Sequence, residues 1–350
     1  MKTLSEMAPD SELGVQWEAL VKASPDAGIM QGLAWCEMKR RQGLHSVHLG
    51  VFEDDRLCGG AVFYTSRHQN GAGIMVAPEG PVIPWGDRAR SVEYLRRLTA
   101  ACQEYAALHG IVSMRVEPRL PSPPPPVFRE FGRAPLDLVP RQTLYLDLHS
   151  GEDERLILDG MKPKGRYNIN LAHRHGVVVT EHCTPDVVPE FYAAVMQASL
   201  RDQFALEPQS FFETLAAVLC ASGHATFLLA HHEGDLLGAL LLITYGDRAT
   251  YLYGGITNEK RNLMGGYALQ WAAIKCARQR GCRTYDFYGY VPHRSPEHRY
   301  SRFSQFKSQF GGQVMTFMGA HDYIFLDNLA DAFVRASREA FSAVASEAGP

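Results

Sequence analysis

Two stretches of the sequence share one grammar. Residues 47–66, VHLGVFEDDRLCGGAVFYTS, are two strand-like runs around an acidic turn, and residues 226–244, TFLLAHHEGDLLGALLLIT, repeat that order around His-Glu-Gly-Asp. A third strand follows in each half, GAGIMVAP near residue 73 and ATYLYGGI at 249–256. A long helix comes next, over 88–109 and 263–280, ending near Gly110 or Gly281 and running into IVSMRVEP or CRTYDFYG. Each half therefore reads β-β-β-α-β, which predicts an α/β fold of two units with mixed sheets. The strand-like TLYLDL (143–148) and the acidic GEDERL after it put the boundary near residue 150. The first domain is then 1–150 with about 318–350 and the second 151–317, while PSPPPP at 121–126 is a stiff spacer or exposed loop. QVMTFMGAHDYIF reads as one strand, and 327–345 as an amphipathic helix whose mixed charges favour packing on the first half over lying on a membrane. A twofold repeat of this kind normally carries a ligand cleft between its halves.

Composition narrows the function classes. The 350 residues are 46% hydrophobic, enough for one large core or two ordinary ones, and the net charge of −3 gives no global basic field for DNA or RNA. Seven scattered cysteines without a C-x-x-C pair argue against a disulfide framework or a zinc site, and predict buried thiols in a reducing cytosol. No run of 18 apolar residues occurs, and MKTLSEMAPD lacks the apolar centre of a signal peptide, so a soluble, cytoplasmic protein is expected.

No G-x-S-x-G elbow, H-E-x-x-H helix or Walker loop is present. His173, His175, His231 and His232 read as satisfied surface or core histidines, not metal ligands. Two basic stretches stand out: 161–176 with Lys162, Lys164, Arg166 and Arg174, and 293–307 with Arg294, Arg299, Arg302 and Lys307. Pro163 and Gly176 bracket the first as a helix. Each alone is a solvated helix face; together they raise the case for a polyanion, either an RNA backbone or a diphosphate. The glycine-rich opening of the second long helix, Arg261 to Gly266, is placed as in acyl-CoA-binding folds, but Met264 would obstruct close backbone approach.

The segment SRFSQFKSQFGG, 301–312, sets Phe303, Phe306 and Phe310 on one stripe of a short helix that Gly311 and Gly312 stop. Lys307 sits at the border of that stripe. Either its stem lies on the apolar face with the ammonium in water, or it is a fixed cation aimed into a cleft.

MKPKGRYNINLAHRHGVVV, YLYGGITNEKRNLMGGYALQWAAIKCARQRGCRTYDFYG, RFSQFKSQFGGQV with GAHDYIF, and MQGLAWCEMKRRQG with APEGPVIP resemble the FemABX family over nearly the whole chain. These are non-ribosomal aminoacyltransferases that build peptidoglycan side branches from aminoacyl-tRNA on two GNAT-like domains. The resemblance implies an acceptor-binding first domain, a tRNA-side second domain and no cofactor beyond aminoacyl-tRNA as co-substrate. The acceptor would be a nucleotide- or lipid-linked peptidoglycan precursor, with peripheral contact to the inner membrane face. Phe306 and Lys307 match the family's reaction-centre pair, Lys39 a diphosphate-binding lysine and Tyr253 an acceptor-channel tyrosine. Glu117 stands where relatives have aspartate, Phe211 where they have tyrosine, and Glu207 where an arginine holds the diphosphate. Lys162, Lys164, Arg166, Arg299 and Arg302 would meet tRNA. Direct transfer in a ternary complex follows, with Lys307 serving the tRNA end or the oxyanion. The general base is open between the substrate itself and a carboxylate, Asp286 included, although an aspartate so placed is more often a structural partner. An acyl-CoA-dependent N-acyltransferase and a non-catalytic precursor-binding protein are the alternatives.

Overall fold

The repeated grammar folds into two separate sheets. The computed structural model describes residues 2–3, 7–8, 10–67, 73–149, 153–291 and 301–325. The expected helix over 327–345 lies outside them, as do Arg294 and Arg299 and the side chain of Arg302. Within the described chain one unit comprises residues up to Arg141 and from Phe317 onward, and the other Gln142–Thr316.

Strands and helices are numbered along the chain. The first unit holds β1 (Lys2–Thr3), β2 (His45–Glu53), β3 (Arg56–Arg67), β4 (Gly73–Pro78), β5 (Ile111–Glu117), β6 (Gly132–Arg133) and β14 (His321–Ile324), with α1 (Glu12–Ala23), α2 (Leu33–Arg41) and α3 (Arg88–His109). Its sheet order is β1-β2-β3-β4-β5-β14-β6. The β2–β3 hairpin turns on Asp54 (φ 46°) and Asp55 (φ 64°), the doubly left-handed turn that matches strand twist. Asp87 starts α3 by accepting the amides of Ala89 and Arg90, and Gly110 ends it at φ 64°. Tyr94, Leu95, Leu98, Cys102 and Ala106 of α3 pack on Leu49, Phe63, Met75 and Met114 of the sheet.

The second unit holds β7 (Gln142–Asp147), β8 (Val178–His182), β9 (Ala225–His232), β10 (Asp235–Tyr245), β11 (Arg248–Ile256), β12 (Thr284–Asp286) and β13 (Gln313–Thr316). Its helices are α4 (Arg155–Gly160), α5 (Pro163–Arg174), α6 (Val188–Asp202), α7 (Gln209–Leu215), α8 (Gly265–Gln279) and α9 (Ser301–Lys307). The order β13-β7-β12-β11-β10-β9-β8 reproduces the antiparallel β2-β3-β4 run in β9-β10-β11, and the parallel β4–β5 pair in β11–β12. Glu233 (φ 51°) and Gly234 (φ 89°) repeat the left-handed hairpin turn.

Two expectations need correction. The boundary falls at Arg141, not near 150, because β7 pairs antiparallel with β12 and β13 and so belongs to the second sheet. Its apolar alternation announced a strand, but the choice of sheet rests on partners more than 130 residues away in sequence. The single strand read over QVMTFMGAHDYIF is two, β13 in the second sheet and β14 in the first, with Gly319 (φ 75°) in the crossing segment. The cysteines also depart from expectation: none of the seven forms a disulfide, but Cys183 is exposed and Cys58 half-buried.

Candidate functional site

The second unit builds a buried lysine from the sequence TYDFYG and the helix that follows. Asp286, fully buried at the end of β12, accepts the hydroxyl of Thr143 and, at 2.8 Å, the amide of Tyr288 two residues on. That side-chain turn is a habit of aspartate. It bends the chain into a left-handed pair, Tyr288 (φ 48°) and Gly289 (φ 53°). For a tyrosine this conformation costs about 1–2 kcal/mol, so the surroundings must hold it. They do: Phe287 and Tyr290 donate to Leu144 O (3.0 Å) and Gln142 O (2.9 Å), and Val291 donates to Ser304 Oγ of α9 at 2.8 Å.

The turn presents two carbonyls to one nitrogen. Lys307 Nζ donates to Tyr288 O and, at 2.8 Å, to Gly289 O, and lies 5.3 Å from the centre of the Tyr251 ring. Lys307 is 9% exposed. Burial lowers it from the ordinary 10.5 to about 7, against the opposing charge of Asp286, and burial pushes the Tyr251 phenol up to about 12. Of the two readings of the lysine's stem, snorkelling to water is excluded. The phenylalanine stripe has the expected role: Phe306 meets Tyr267 at 5.0 Å and Phe310 at 5.4 Å, and Phe303 meets Phe204 at 5.9 Å. Gly311 (φ 78°) stops the helix, and a Cβ there would lie 2.4 Å from Gly160 O.

Tyr251 was not foreseen, although YLYGG displays it two residues before Tyr253. Strict alternation would put both tyrosines on one face. The register shifts instead: Leu241 pairs with Tyr253 but Leu242 with Tyr251, so Leu252 is the extra residue of a β-bulge and the tyrosines face opposite ways. Tyr251 joins the core that Leu240, Leu242 and Phe306 share, lying over Gly254, where a Cβ would stand 2.6 Å from its ring. Tyr253 packs edge-on against Phe212 (5.0 Å) and Phe211 (6.2 Å) on the other face. Tyr253 and Phe211 are therefore brought together, and Lys307 belongs to a different layer.

The basic stretches are used unequally. Gly165 lets α5 approach the turn after Lys307, since its Cβ would stand 2.4 Å from Gln309 O. Lys162 donates its amide to Gln309 O at 3.0 Å and its ammonium to Ser308 Oγ at 3.3 Å, so it sits beside the lysine's helix end. Lys164 is exposed. The Arg166 guanidinium donates to Leu158 O (3.3 Å), Asp159 O (3.4 Å) and Met161 O, satisfying the last carbonyls of α4. His231 meets Glu190 at 2.6 Å and His232 accepts Lys260 at 3.1 Å. Met264 (φ 60°) caps α8, and Glu207 is exposed.

In the first unit, Lys39 in the last turn of α2 is half-buried, donates to Gln42 Oε1 at 3.1 Å and lies 5.7 Å from the Trp35 ring centre. Glu117 is buried at the end of β5 and accepts the amides of Leu138 (3.0 Å) and Val139 (2.7 Å). Burial raises its carboxyl to about 7 in spite of those bonds and of Arg115. Arg119 and Glu79 form a buried pair at 3.3 Å, with Arg119 4.7 Å from the Phe317 ring centre. Among the described residues no helix is long and apolar enough to cross a membrane.

Comparison of the sequence with known proteins shows its family. A sequence model of the FemAB family matches residues 15–122, 133–235 and 226–327. The chain is 21% identical over 389 residues to the lipid II:glycine glycyltransferase of Staphylococcus haemolyticus (strain JCSC1435), covering 88% of this chain and 90% of that one. The protein of the same name from Staphylococcus aureus (strain MRSA252) is 21% identical over 390 residues with the same coverage. In fold, the crystal structure of FemX matches with a TM-score of 0.84 at 18% identity, covering 95% of this chain and 100% of its own. A tandem GNAT protein from the clavulanic acid biosynthesis pathway matches with a TM-score of 0.53 at 16% identity, covering 91% and 96%. The architecture is a tandem GNAT-like fold, with the two mixed-sheet α/β units that the internal repeat predicts and the GNAT-like character that the resemblance implies.

Proposed function

The chain belongs to the FemAB family, and on that premise we propose that it transfers an aminoacyl group from aminoacyl-tRNA to an amine of a peptidoglycan precursor, lipid-linked as in lipid II. The relatives' name supports the acceptor, since both act on lipid II and span the chain almost end to end.

The observation that carries the reading is Lys307, buried and held by two carbonyls beside an aromatic ring, at the position expected of the reaction centre. An aminoacyl ester is already activated, and an amine attacks readily once neutral. The protein must bring the two together, which can remove about 7–11 kcal/mol of barrier, and stabilise the developing oxyanion, where one donor is worth about 2.7–4 kcal/mol. No cofactor is required by that chemistry. Lys307 and Phe306 then serve the acyl centre, while Tyr253 and Phe211, on the other face of the sheet, would meet a more distant part of the acceptor and Lys39 its diphosphate. Lys162 and Lys164 meet tRNA phosphate with Arg299 and Arg302, and Glu117 acts through the loop it pins. Incubating the protein with lipid II and a pool of charged tRNAs, followed by mass spectrometry of the acceptor, tests the reading. A mass gain of one aminoacyl residue is expected; a gain that requires acetyl-CoA instead would overturn it.

A further inference from the structure

We infer that Lys307 Nζ is the proton acceptor of the transfer, a role that rests on the reading above: it takes the proton from the attacking amine and returns it to the leaving ester oxygen. The argument begins with valence. A neutral primary amine has two N–H groups and one lone pair; an ammonium has three N–H groups. Lys307 Nζ has two carbonyl acceptors, Tyr288 O and Gly289 O at 2.8 Å, both supplied by one turn. Two N–H groups are thereby satisfied, and the remaining valence is available to a lone pair. Among the described residues no carboxylate pairs with it, whereas a buried ammonium meant to stay charged is ordinarily given one. Among the described residues the charged and titratable groups facing it are Asp286 of β12, whose oxygens serve Thr143 and the Tyr288 amide, and Tyr251 of β11, a neutral phenol at physiological pH. On the adjoining α5, Lys162 is turned to Ser308. Burial among these groups holds Lys307 near 7, the range in which a lysine works as a general base.

The step balances without a co-reactant. The amine nitrogen bonds to the ester carbonyl carbon, and the carbonyl π pair moves to oxygen. The excess proton on that nitrogen passes to the Lys307 lone pair. The carbon–oxygen bond to the ribose then breaks with its pair on oxygen, and that oxygen takes the proton back from Lys307. Amide and ribose hydroxyl result, and the lysine is neutral again. Between the two transfers an ammonium stands beside the oxyanion, so the electrostatic help expected of a cation there arrives when the charge develops.

Arginine distinguishes the two roles, because it keeps the charge but cannot give up its proton. Lys307→Arg and Lys307→Ala are compared with the parent for aminoacyl transfer to lipid II, with folding checked by Tm and with added methylamine or ammonia across pH 6.5–9. The expected result is at least a hundredfold loss in both variants, and rescue of Lys307→Ala in proportion to the unprotonated amine. Should Lys307→Arg misfold, the rescue decides alone. A folded Lys307→Arg within tenfold of the parent overturns the inference, as does a Lys307→Ala rescued by neither form or in proportion to ammonium. A parent that transfers nothing from any charged tRNA overturns the proposed function instead.

Discussion

Lys307 Nζ donates to Gly289 O at 2.8 Å, tying the last residue of α9 to a left-handed turn at the end of β12. The bond carries a thermodynamic signature. Lys307 titrates near 7 in the folded chain and near 10.5 unfolded, so between those values the unfolded chain holds a proton the folded one lacks. Stability must rise with pH across that window, by up to about 1.4 kcal/mol per pH unit for one proton. Urea unfolding at pH 7.5 and 9.5 should show this rise in the parent and lose it in Lys307→Met. Parallel curves would place the lysine in contact with water.

Glu117 carries the opposite sign. Its folded carboxyl is raised to about 7 from 4.5, so the folded chain holds the extra proton between those values and stability falls as pH rises from 4.5 to 7. Glu117→Gln keeps an acceptor for the Leu138 and Val139 amides and should flatten that fall. Glu117→Ala strips both amides of their partner and should cost about 1–3 kcal/mol in urea unfolding at pH 7. Equal stability of the two variants would contradict the anchoring role.

Gly311→Ala should destabilise by more than the roughly 1–2 kcal/mol of a left-handed alanine, because its Cβ also meets Gly160 O at 2.4 Å. The same shift moves α9, so transfer should fall along with Tm. A fully stable Gly311→Ala would refute the close approach.

The basic residues of α5 should separate by assay. Lys162→Ala with Lys164→Ala should weaken charged-tRNA binding and reduce its log–log salt slope by about 0.7 for each phosphate that is no longer neutralised. Arg166→Ala should leave that slope unchanged and cost about 1.5–3 kcal/mol of stability, since its guanidinium serves three carbonyls. A slope change with Arg166→Ala and no stability loss would reverse the assignment.

Much of this was legible from the residues. The repeat gave the antiparallel run and parallel crossover of each sheet, and α3 and α5 occur where capping and termination signals place them, at Arg88–His109 and Pro163–Arg174. What escaped was long-range. An apolar strand carries no mark of its sheet, which hid the place of β7, and the exposed β8, Val178–His182, has too little buried face to announce itself. The bulge at Leu252 broke the alternation on which any reading of Tyr251 and Tyr253 depends. Arg166 looked like a phosphate ligand because its charge is local in sequence, while the carbonyls that take it up are set by the end of α4. Lys307 was readable as a candidate from its phenylalanine stripe, but its depth and its two carbonyl partners required the left-handed turn of Tyr288 and Gly289.

The central claim is that Lys307 is present for chemistry and not for folding. Lys307→Met keeps the side-chain volume and removes the nitrogen, so transfer rate and Tm measured on the same preparation test it directly. Turnover should drop at least a hundredfold, as for loss of one donor at an oxyanion site, while any loss of Tm at pH 7.5 stays within that of two carbonyls left without a donor. A folded Lys307→Met that transfers aminoacyl groups within a few-fold of the parent rate would contradict the account.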